Sequence, residues 1–245
     1  MVLPLFTVPE SVDLKSGDAY TLDGPEGKHA AGVRRIRVGE GIQLTNGIGL
    51  RATGKVSSTF ANSLVIDIEE VLQEQLPDLK LTLVQALAKG DRDELAVQAA
   101  TELGALQIIP WQAVRSISRW EGDKAEKSRT RWQTIAQEAA KQSLRVWNPS
   151  VLPVASTKHL IQVLASFDSV LILEPTGKVS ITELGSLSGD VALVVGPEGG
   201  IDSSELEKFA EAKFKIVHLG DGVLRTSTAG LAAISYLAGS NGLWG

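Results

Sequence analysis

The chain has 245 residues, 43% of them hydrophobic and 22% charged, with a formal net charge of −5. These values are ordinary for a globular protein, and the length suits two modest domains or one large one. With no cysteine, a disulfide framework, a thiolate metal site and a cysteine nucleophile are all excluded, and His29, His159 and His218 are too scattered in sequence to suggest zinc ligation.

No charged-then-apolar leader opens the sequence, and no apolar run approaches the roughly 18 residues that span a bilayer. A cytoplasmic protein without a membrane segment or metal is expected. The negative net charge argues against coating by nucleic acid over the whole surface, but it leaves room for a local basic face.

Residues 1 to about 72 read as a small β-rich unit. Thr21 to Glu26 is a turn and helix start, and a short helix is expected from Lys28 to about Ile36, broken by Gly39 and Gly41. Strands are expected at Ile42 to Thr45, Leu50 to Ser58 and Leu64 to Val71, with Asn46-Gly47 turning the first hairpin. The polar, proline-bearing stretch around Gln73 to Asp78 reads as a linker.

From Lys80 strands and helices alternate. Leu81 to Leu87 is an apolar strand. Asp91 and Glu94 have capping-box spacing and open a helix that stops at Leu103-Gly104. A short buried strand at Gln107 to Pro110 precedes a long helix from about Lys124 to Ser143. A strand at Val151 to Val154, a helix at His159 to Ala165 and a strand at Val170 to Leu173 follow. Val191 to Val195 is the next strand. Asp202 and Glu205 repeat the capping-box spacing, and the last helix runs from about Ser227 to Ala238. Strands alternating with helices of this length imply a mostly parallel sheet covered on both faces.

Two glycine loops mark the candidate site. Gly196-Pro197-Glu198-Gly199-Gly200 leaves one apolar strand, and Leu219-Gly220-Asp221-Gly222-Val223-Leu224-Arg225-Thr226 leaves another; each feeds a helix. Ligands in open α/β sheets sit where strands end, so the loops are read as facing walls of one site. Neither is a dinucleotide fingerprint or a P-loop. A plain strand-to-helix turn and a backbone cradle for a neutral or zwitterionic cofactor both fit the first loop. Arg225 stands between a glycine loop and an almost wholly apolar helix, which suits a residue held at a site. Thr226 or Ser227 could simply cap that helix.

Between Trp111 and Pro149 eight Lys/Arg face four Asp/Glu, a local +4, and four of the five tryptophans (111, 120, 132, 147) lie there too. Lys28, Arg34, Arg35 and Arg37 form a second basic cluster. Cations for phosphates and aromatics for bases are what RNA binding needs. A solvated helix face with core tryptophans is the alternative, and it is the preferred reading for Trp132 at mid-helix.

Taken together, the two loops resemble the RsmE family of ribosomal RNA uridine N3-methyltransferases, of the SPOUT class. Ala88-Lys89-Gly90-Asp91-Arg92, Ala100 to Gly104, Gln142-Ser143 with Arg145 and Pro149, and Gly27-Lys28-His29 with Val33-Arg34-Arg35 and Arg37-Val38-Gly39 extend the likeness over nearly the whole chain. The resemblance implies a PUA-like β-barrel RNA-binding domain at 1–72, a linker at 73–79, and an α/β domain at 80–245 with a C-terminal trefoil knot. It implies S-adenosylmethionine as methyl donor, bound by Leu173, Glu174 and Pro175, by Val195, Gly196, Glu198, Gly199 and Gly200, and by Leu219, Gly220, Val223, Leu224, Arg225 and Thr226. It implies 16S ribosomal RNA of the small subunit as substrate, gripped through Arg34, Arg35, Arg37, Lys89, Arg92, Arg115, Gln142 and Arg145, and a homodimer. Arg225 is the candidate catalytic residue, stabilising charge on the uracil or orienting it; the general base is unassigned, because Ser227 stands where many relatives carry an acid. Gln98 stands where many carry lysine. A non-catalytic RNA-binding protein of the same fold, or a transfer RNA methyltransferase, are the competing readings.

Overall fold

The computed structural model describes residues 2–244 and divides into two compact units. The first comprises residues 1–76 and 140–148, the second 77–139 and 149–245.

Unit 1 is built on five strands: β1 (Leu5–Thr7), β2 (Ala19–Leu22), β3 (Gly41–Thr45), β4 (Leu50–Thr59) and β5 (Leu64–Gln73). They form one sheet in the order β1-β3-β4-β5-β2, parallel only between β1 and β3. Along β4 Leu50, Ala52 and Val56 are buried while Lys55 and Ser57 are exposed, the alternation of a sheet with one covered face. The buried side joins Phe6, Leu22, Ile42, Leu44, Leu64 and Ile66 in one core. Asn46 holds the β3–β4 connection through its Oδ1, which accepts from the backbone N–H of Ile48 and Leu50, and Gly47 takes φ 75°.

The expected helix at 28–36 begins earlier. Helix α1 covers Gly24–Lys28, with proline at its start, and passes into a π turn at His29–Val33. Pro25 favours the first helical turn because its missing N–H would have no helical partner there. Residues 140–148 are the part of unit 1 that sequence order hides. Asn148 N–H donates to the Gly47 carbonyl at 2.9 Å, Gly49 N–H to the Val146 carbonyl at 2.9 Å, and Arg51 Nη2 to the Leu144 carbonyl at 3.0 Å. The Lys141 ammonium meets Glu26 Oε1 at 2.9 Å with only 7% of its side chain exposed.

Unit 2 contains β6 (Leu79–Ala86), α2 (Arg92–Leu103), β7 (Ala105–Gln112), α3 (Asp123–Gln142, whose last three residues are counted in unit 1), β8 (Ser150–Val151), β9 (Ala155–Ser156), α4 (Thr157–Leu164), β10 (Ser169–Leu173), β11 (Val179–Ser180), β12 (Gly189–Val195), α5 (Ser203–Glu211), β13 (Lys215–His218) and α6 (Thr226–Ser240). The sheet runs β11-β13-β10-β12-β6-β7-β8, with β9 also on β7, and every pairing is parallel. The strand expected at Val151 to Val154 is instead two short pieces, β8 and β9, separated by Leu152, Pro153 and Val154; the proline has no N–H for a ladder.

Strand β12 shows why its sequence is apolar throughout. Val191, Leu193 and Val195 face Ala96 and Ala100 of α2 and Ala233, Ile234 and Leu237 of α6. Ala192 and Val194 join Leu160 and Leu164 of α4 and Phe209 of α5 in a separate cluster. A two-residue period with both faces covered leaves no position for a polar side chain. Trp132 of α3 is buried edge-on against Trp120, with ring centroids 4.8 Å apart, and packs with Val97, Ile108 and Val151.

Candidate active site

Strands β12, β10 and β13 are neighbours and parallel, so their carboxyl ends emerge together. The three segments that follow line a cleft of about 580 Å³. From β10 come Leu173, Glu174 and Pro175; from β12 come Val195, Gly196, Glu198, Gly199 and Gly200; from β13 come Leu219, Val223, Leu224, Arg225 and Thr226. Gly220 is the one expected cofactor residue outside this lining. It turns the chain at φ 116° while its N–H donates to His218 Nδ1 at 3.2 Å. Pro197, Ile201, Val217, Gly222 and Ala229 also line the cleft, and Arg92 of α2 does too.

The glycine loop is held in shape from outside. Gly200 N–H closes a turn onto the Pro197 carbonyl at 2.9 Å and takes φ 76°, a backbone region that favours glycine. Arg115 donates from Nη1 to the Gly199 carbonyl at 3.1 Å and pairs through Nη2 with Asp202 Oδ2 at 3.1 Å. Arg115, expected at RNA, thus has its guanidinium on the loop, with about half of the side chain exposed, at 47%. Asp202 is the N-cap of α5 and forms the expected box with Glu205. Hydrogen bonds from the Ser204 hydroxyl and N–H, and then Arg115, hold the Asp202 carboxyl below its ordinary range.

Glu198 reaches from the loop to the segment after β6. Its Oε1 accepts from Lys89 N–H at 3.2 Å and from Arg92 Nη1 at 3.3 Å. The same segment is fixed from the other side by Asp93, whose Oδ2 accepts from Ala88 N–H at 3.2 Å. The expected capping box at Asp91 and Glu94 does not form: Asp91 makes no side-chain cap. Asp93 does the local holding, and Glu94 pairs with Arg131 at 2.6 Å. Burial pushes the Asp93 carboxyl up to about 6, against the opposing pull of the Ala88 and Glu94 N–H groups.

At the third wall, Arg225 is the N-cap residue of α6, and its carbonyl accepts from the N–H groups of Thr228 and Ala229. Neither Thr226 nor Ser227 caps the helix. The Arg225 side chain is exposed, lines the cleft and makes no hydrogen bond or ion pair among the described residues. Thr226 is buried instead. Its hydroxyl donates to the Gly196 carbonyl at 2.8 Å and accepts from Gln85 Nε2 at 2.9 Å. Gln85 is fully buried near the end of β6. A lone amide inside the apolar run 81–87 is a signal that sequence reading passed over.

The remaining expected RNA contacts lie elsewhere. Lys89 is exposed beside the Glu198 contact. Arg34, Arg35, Arg37, Gln142 and Arg145 belong to unit 1. Burial lowers the Arg145 guanidinium below its ordinary value. Trp111, Trp120 and Trp132 are core residues, so they offer no face for stacking on bases.

Residues 74–238 match the family model described as an RNA methyltransferase domain, and residues 22–69 match that of an RNA methyltransferase PUA domain. The curated Ribosomal RNA small subunit methyltransferase E of Mycobacterium bovis is 38% identical over 251 residues, covering 100% of this chain and 94% of the relative. That of Bacillus subtilis is 33% identical over 237 residues, covering 92% and 91%. The crystal structure of the Neisseria gonorrhoeae enzyme of that name, bound to S-adenosyl methionine, superposes with a TM-score of 0.86 at 30% identity, covering 97% of this chain and 98% of that one. With identity of this order over the full length, and both domain models matched, the chain belongs to the ribosomal RNA small subunit methyltransferase E family.

Proposed function

We propose that this protein methylates N3 of a uridine in 16S ribosomal RNA of the small subunit, with S-adenosylmethionine as donor. The observation that carries the reading is the cleft at the ends of three adjacent strands, in a chain whose relative of known structure binds that cofactor at this level of identity. Its volume lies within the roughly 300–1,000 Å³ of small-molecule sites. Its walls suit the cofactor: apolar faces from Leu173, Val195, Leu219 and Leu224 for a ring system, open glycine backbone for polar groups, and the Glu174 and Glu198 carboxylates at the rim. When bound, S-adenosylmethionine supplies an electrophilic methyl group on a sulfonium.

The chain's own residues have the other half of the work. Uracil N3 carries a proton and is a weak nucleophile until that proton leaves or the developing anion is stabilised. Arg225 would hold negative charge on uracil O2 or O4; its exposure on the cleft wall, without a partner among the described residues, supports that role. Alignment of N3 with the methyl carbon supplies the proximity term. The target base enters unstacked.

The division of labour proposed is an RNA-gripping PUA-like domain at 1–72, a linker at 73–79 and a catalytic SPOUT domain at 80–245. In the catalytic domain the chain beyond β13 would thread to form a trefoil knot. The return of α6 from edge-side β13 to the inner strands supports this: Gly230 lies against Leu83 of β6 and Val195 of β12. Arg34, Arg35, Arg37, Lys89, Arg92, Arg115, Gln142 and Arg145 are proposed to meet RNA. A homodimer and a cytoplasmic location complete the reading; no helix among the described residues is long and apolar enough to cross a membrane. The test has two stages. Calorimetric titration with S-adenosylmethionine should show up to one site per chain. Small ribosomal subunits from a strain lacking the enzyme should then accept labelled methyl, and the product should block primer extension at one uridine, because N3 lies on the pairing edge. Cofactor binding with no transfer to subunits or to free 16S RNA would refute the assignment.

A further inference from the structure

A second cavity, of about 260 Å³, opens in unit 2 beside the cleft. The two share the segment that follows β6: Arg92 lines the cleft and Lys89 N–H bonds Glu198, while Lys89, Gly90 and Asp93 line the cavity. Its other walls include Ser118 and Trp120, ahead of α3, and Ser128 and Trp132 on α3. Asp93 is only 5% exposed, and its carboxylate is half satisfied. Oδ2 accepts from Ala88 N–H at 3.2 Å and Oδ1 from Glu94 N–H at 2.9 Å. A carboxylate oxygen can accept two hydrogen bonds, so each keeps one free site. Burial raises the carboxyl to about 6 in spite of these donors, so at neutral pH it is ionised and short of partners. Arg131, which also lines the cavity, is taken by Glu94 at 2.6 Å. The hydroxyls of Ser118 and Ser128 and the indole N–H groups of Trp120 and Trp132 make no hydrogen bond among the described residues, although both tryptophans are buried. A buried indole N–H usually finds a partner.

We infer that this cavity holds a guanine of the RNA substrate, one that neighbours the methylated uridine. The inference rests on the reading of the protein as an RNA methyltransferase. At about 260 Å³ the space is below the roughly 300–1,000 Å³ of a small-molecule site, so it suits one group of a larger ligand. The free acceptor sites of the Asp93 carboxylate select that group. Guanine alone among the four bases presents two N–H groups side by side on its pairing edge, at N1 and N2, and these match the two carboxylate oxygens. Adenine and cytosine offer one amino group beside an acceptor, and uracil offers a single N–H. Guanine O6, on the same edge, accepts from an indole N–H or a serine hydroxyl. The tryptophans contribute N–H donors and not stacking faces. RNA bases are read in this way when they are unstacked, on the edge that pairing would otherwise cover. The shared segment 88–93 then sets the guanine beside the cleft in which the uridine would react.

Binding of fluorescently labelled single-stranded 16S RNA fragments to the full chain, measured by anisotropy, tests this. Each guanine near the methylated uridine is replaced in turn by inosine, which lacks only the N2 amino group. One replacement should cost the wild type about tenfold in affinity, the share of a hydrogen bond to a charged group. Asp93→Asn puts a donor in place of one carboxylate oxygen and should abolish the preference for guanine over inosine at that position. A merely structural loss would weaken binding of both RNAs alike and keep the preference. Ser128→Leu fills the cavity from α3 and lies outside the cleft lining. It should abolish the preference too, with cofactor titration unchanged. Indifference of the wild type to inosine at every position, or a preference kept in either variant, would overturn the guanine site and leave the methyltransferase reading standing. A wild-type protein that neither binds nor methylates RNA would overturn that reading and the guanine site with it.

Discussion

Thr226→Val is the most informative single change in the cofactor cleft, because it keeps the side-chain shape and removes one oxygen. That oxygen makes two hydrogen bonds, to the Gly196 carbonyl at 2.8 Å and from Gln85 Nε2 at 2.9 Å. Each bond is worth about 1 kcal/mol net, so their loss costs about 2 kcal/mol. Thr226 is 6% exposed and Gln85 0%, so water cannot replace the lost partner of the amide, which keeps only the Ala86 carbonyl at 3.2 Å. The orphaned N–H raises the expected loss to about 3 kcal/mol. In urea unfolding followed by tryptophan fluorescence, where Trp111, Trp120 and Trp132 all report on unit 2, the midpoint should fall accordingly. Affinity for S-adenosylmethionine should fall as well, because the hydroxyl ties the second wall of the cleft to the third. Gln85→Leu provides the control. Gln85 Oε1 has no partner among the described residues, so replacing the whole amide removes one uncompensated group along with the bond. Gln85→Leu should therefore cost less than Thr226→Val. In the double variant the two costs should fall short of additivity by about 1 kcal/mol or more. A Thr226→Val protein within about 0.5 kcal/mol of wild type, the range of ordinary surface changes, would refute the claim that this relay holds the cleft together.

Arg225→Ala should lower turnover by about 10²-fold or more, with cofactor affinity and circular dichroism retained, if the guanidinium stabilises charge that develops in transfer; near-wild-type turnover would remove it from the reaction. Asp93, with its carboxyl near 6 against an ordinary 3.8, binds its proton more tightly in the folded state, so its contribution is full below about pH 4 and is lost as pH rises through 6. The size is at most about 3 kcal/mol, and Asp93→Asn should flatten that part of the stability profile, whereas an unchanged slope would contradict the assignment. Two helix glycines should respond differently. A Cβ at Gly230 would lie 2.7 Å from Leu83 Cδ1 and 3.1 Å from Val195 Cγ2, so an overpacking cost of about 1–3 kcal/mol outweighs the helical gain of up to about 1 kcal/mol in Gly230→Ala. Gly239→Ala meets nothing within 4 Å and should be neutral or stabilising in thermal melts.

Most of the elements could be read because their signals are local. Asn46-Gly47 marks a turn, the short apolar run 191–195 stopped by Gly-Pro fits a strand covered on both faces, and Gly104 stops α2 in the left-handed region at φ 110°. The two glycine loops could be read as a pair because strand ends in parallel sheets share an edge. Their joint lining of one cleft with Leu173, Glu174 and Pro175 is a matter of strand order, which periodicity does not encode. The membership of residues 140–148 in unit 1 is equally hidden. Its bonds run from Gly47, Gly49 and Arg51 to backbone groups about a hundred residues later, and backbone partners leave no compositional trace. Two of the tryptophans misled for a related reason. Trp111 and Trp120 stand beside basic residues as on an RNA surface, yet both are consumed by packing, as is Trp132, whose mid-helix position had already marked it as core.

The two capping-box spacings show where local signals stop. Asp91 with Glu94 and Asp202 with Glu205 look alike in sequence, but only the second forms the box. The difference lies in what surrounds the glutamate. Glu205 is 0% exposed, and its carboxylate accepts from Asp202 N–H, Val114 N–H and the Thr157 hydroxyl, which Trp111 Nε1 meets in turn at 3.1 Å. A buried carboxylate must collect donors, and here the box supplies one of three. Glu94 is half-buried, and Arg131 of α3 offers it an ion pair that faces solvent. With Glu94 drawn outward, Asp93 takes the buried place and holds Ala88 and the segment that leads to Lys89 and Arg92. One motif therefore anchors β7 and α4 to the glycine loop, and the other yields its position to a carboxylate that fixes the opposite rim of the cleft. Whether a capping box forms is decided by tertiary partners, and at both places the outcome shapes the wall against which the cofactor is proposed to bind.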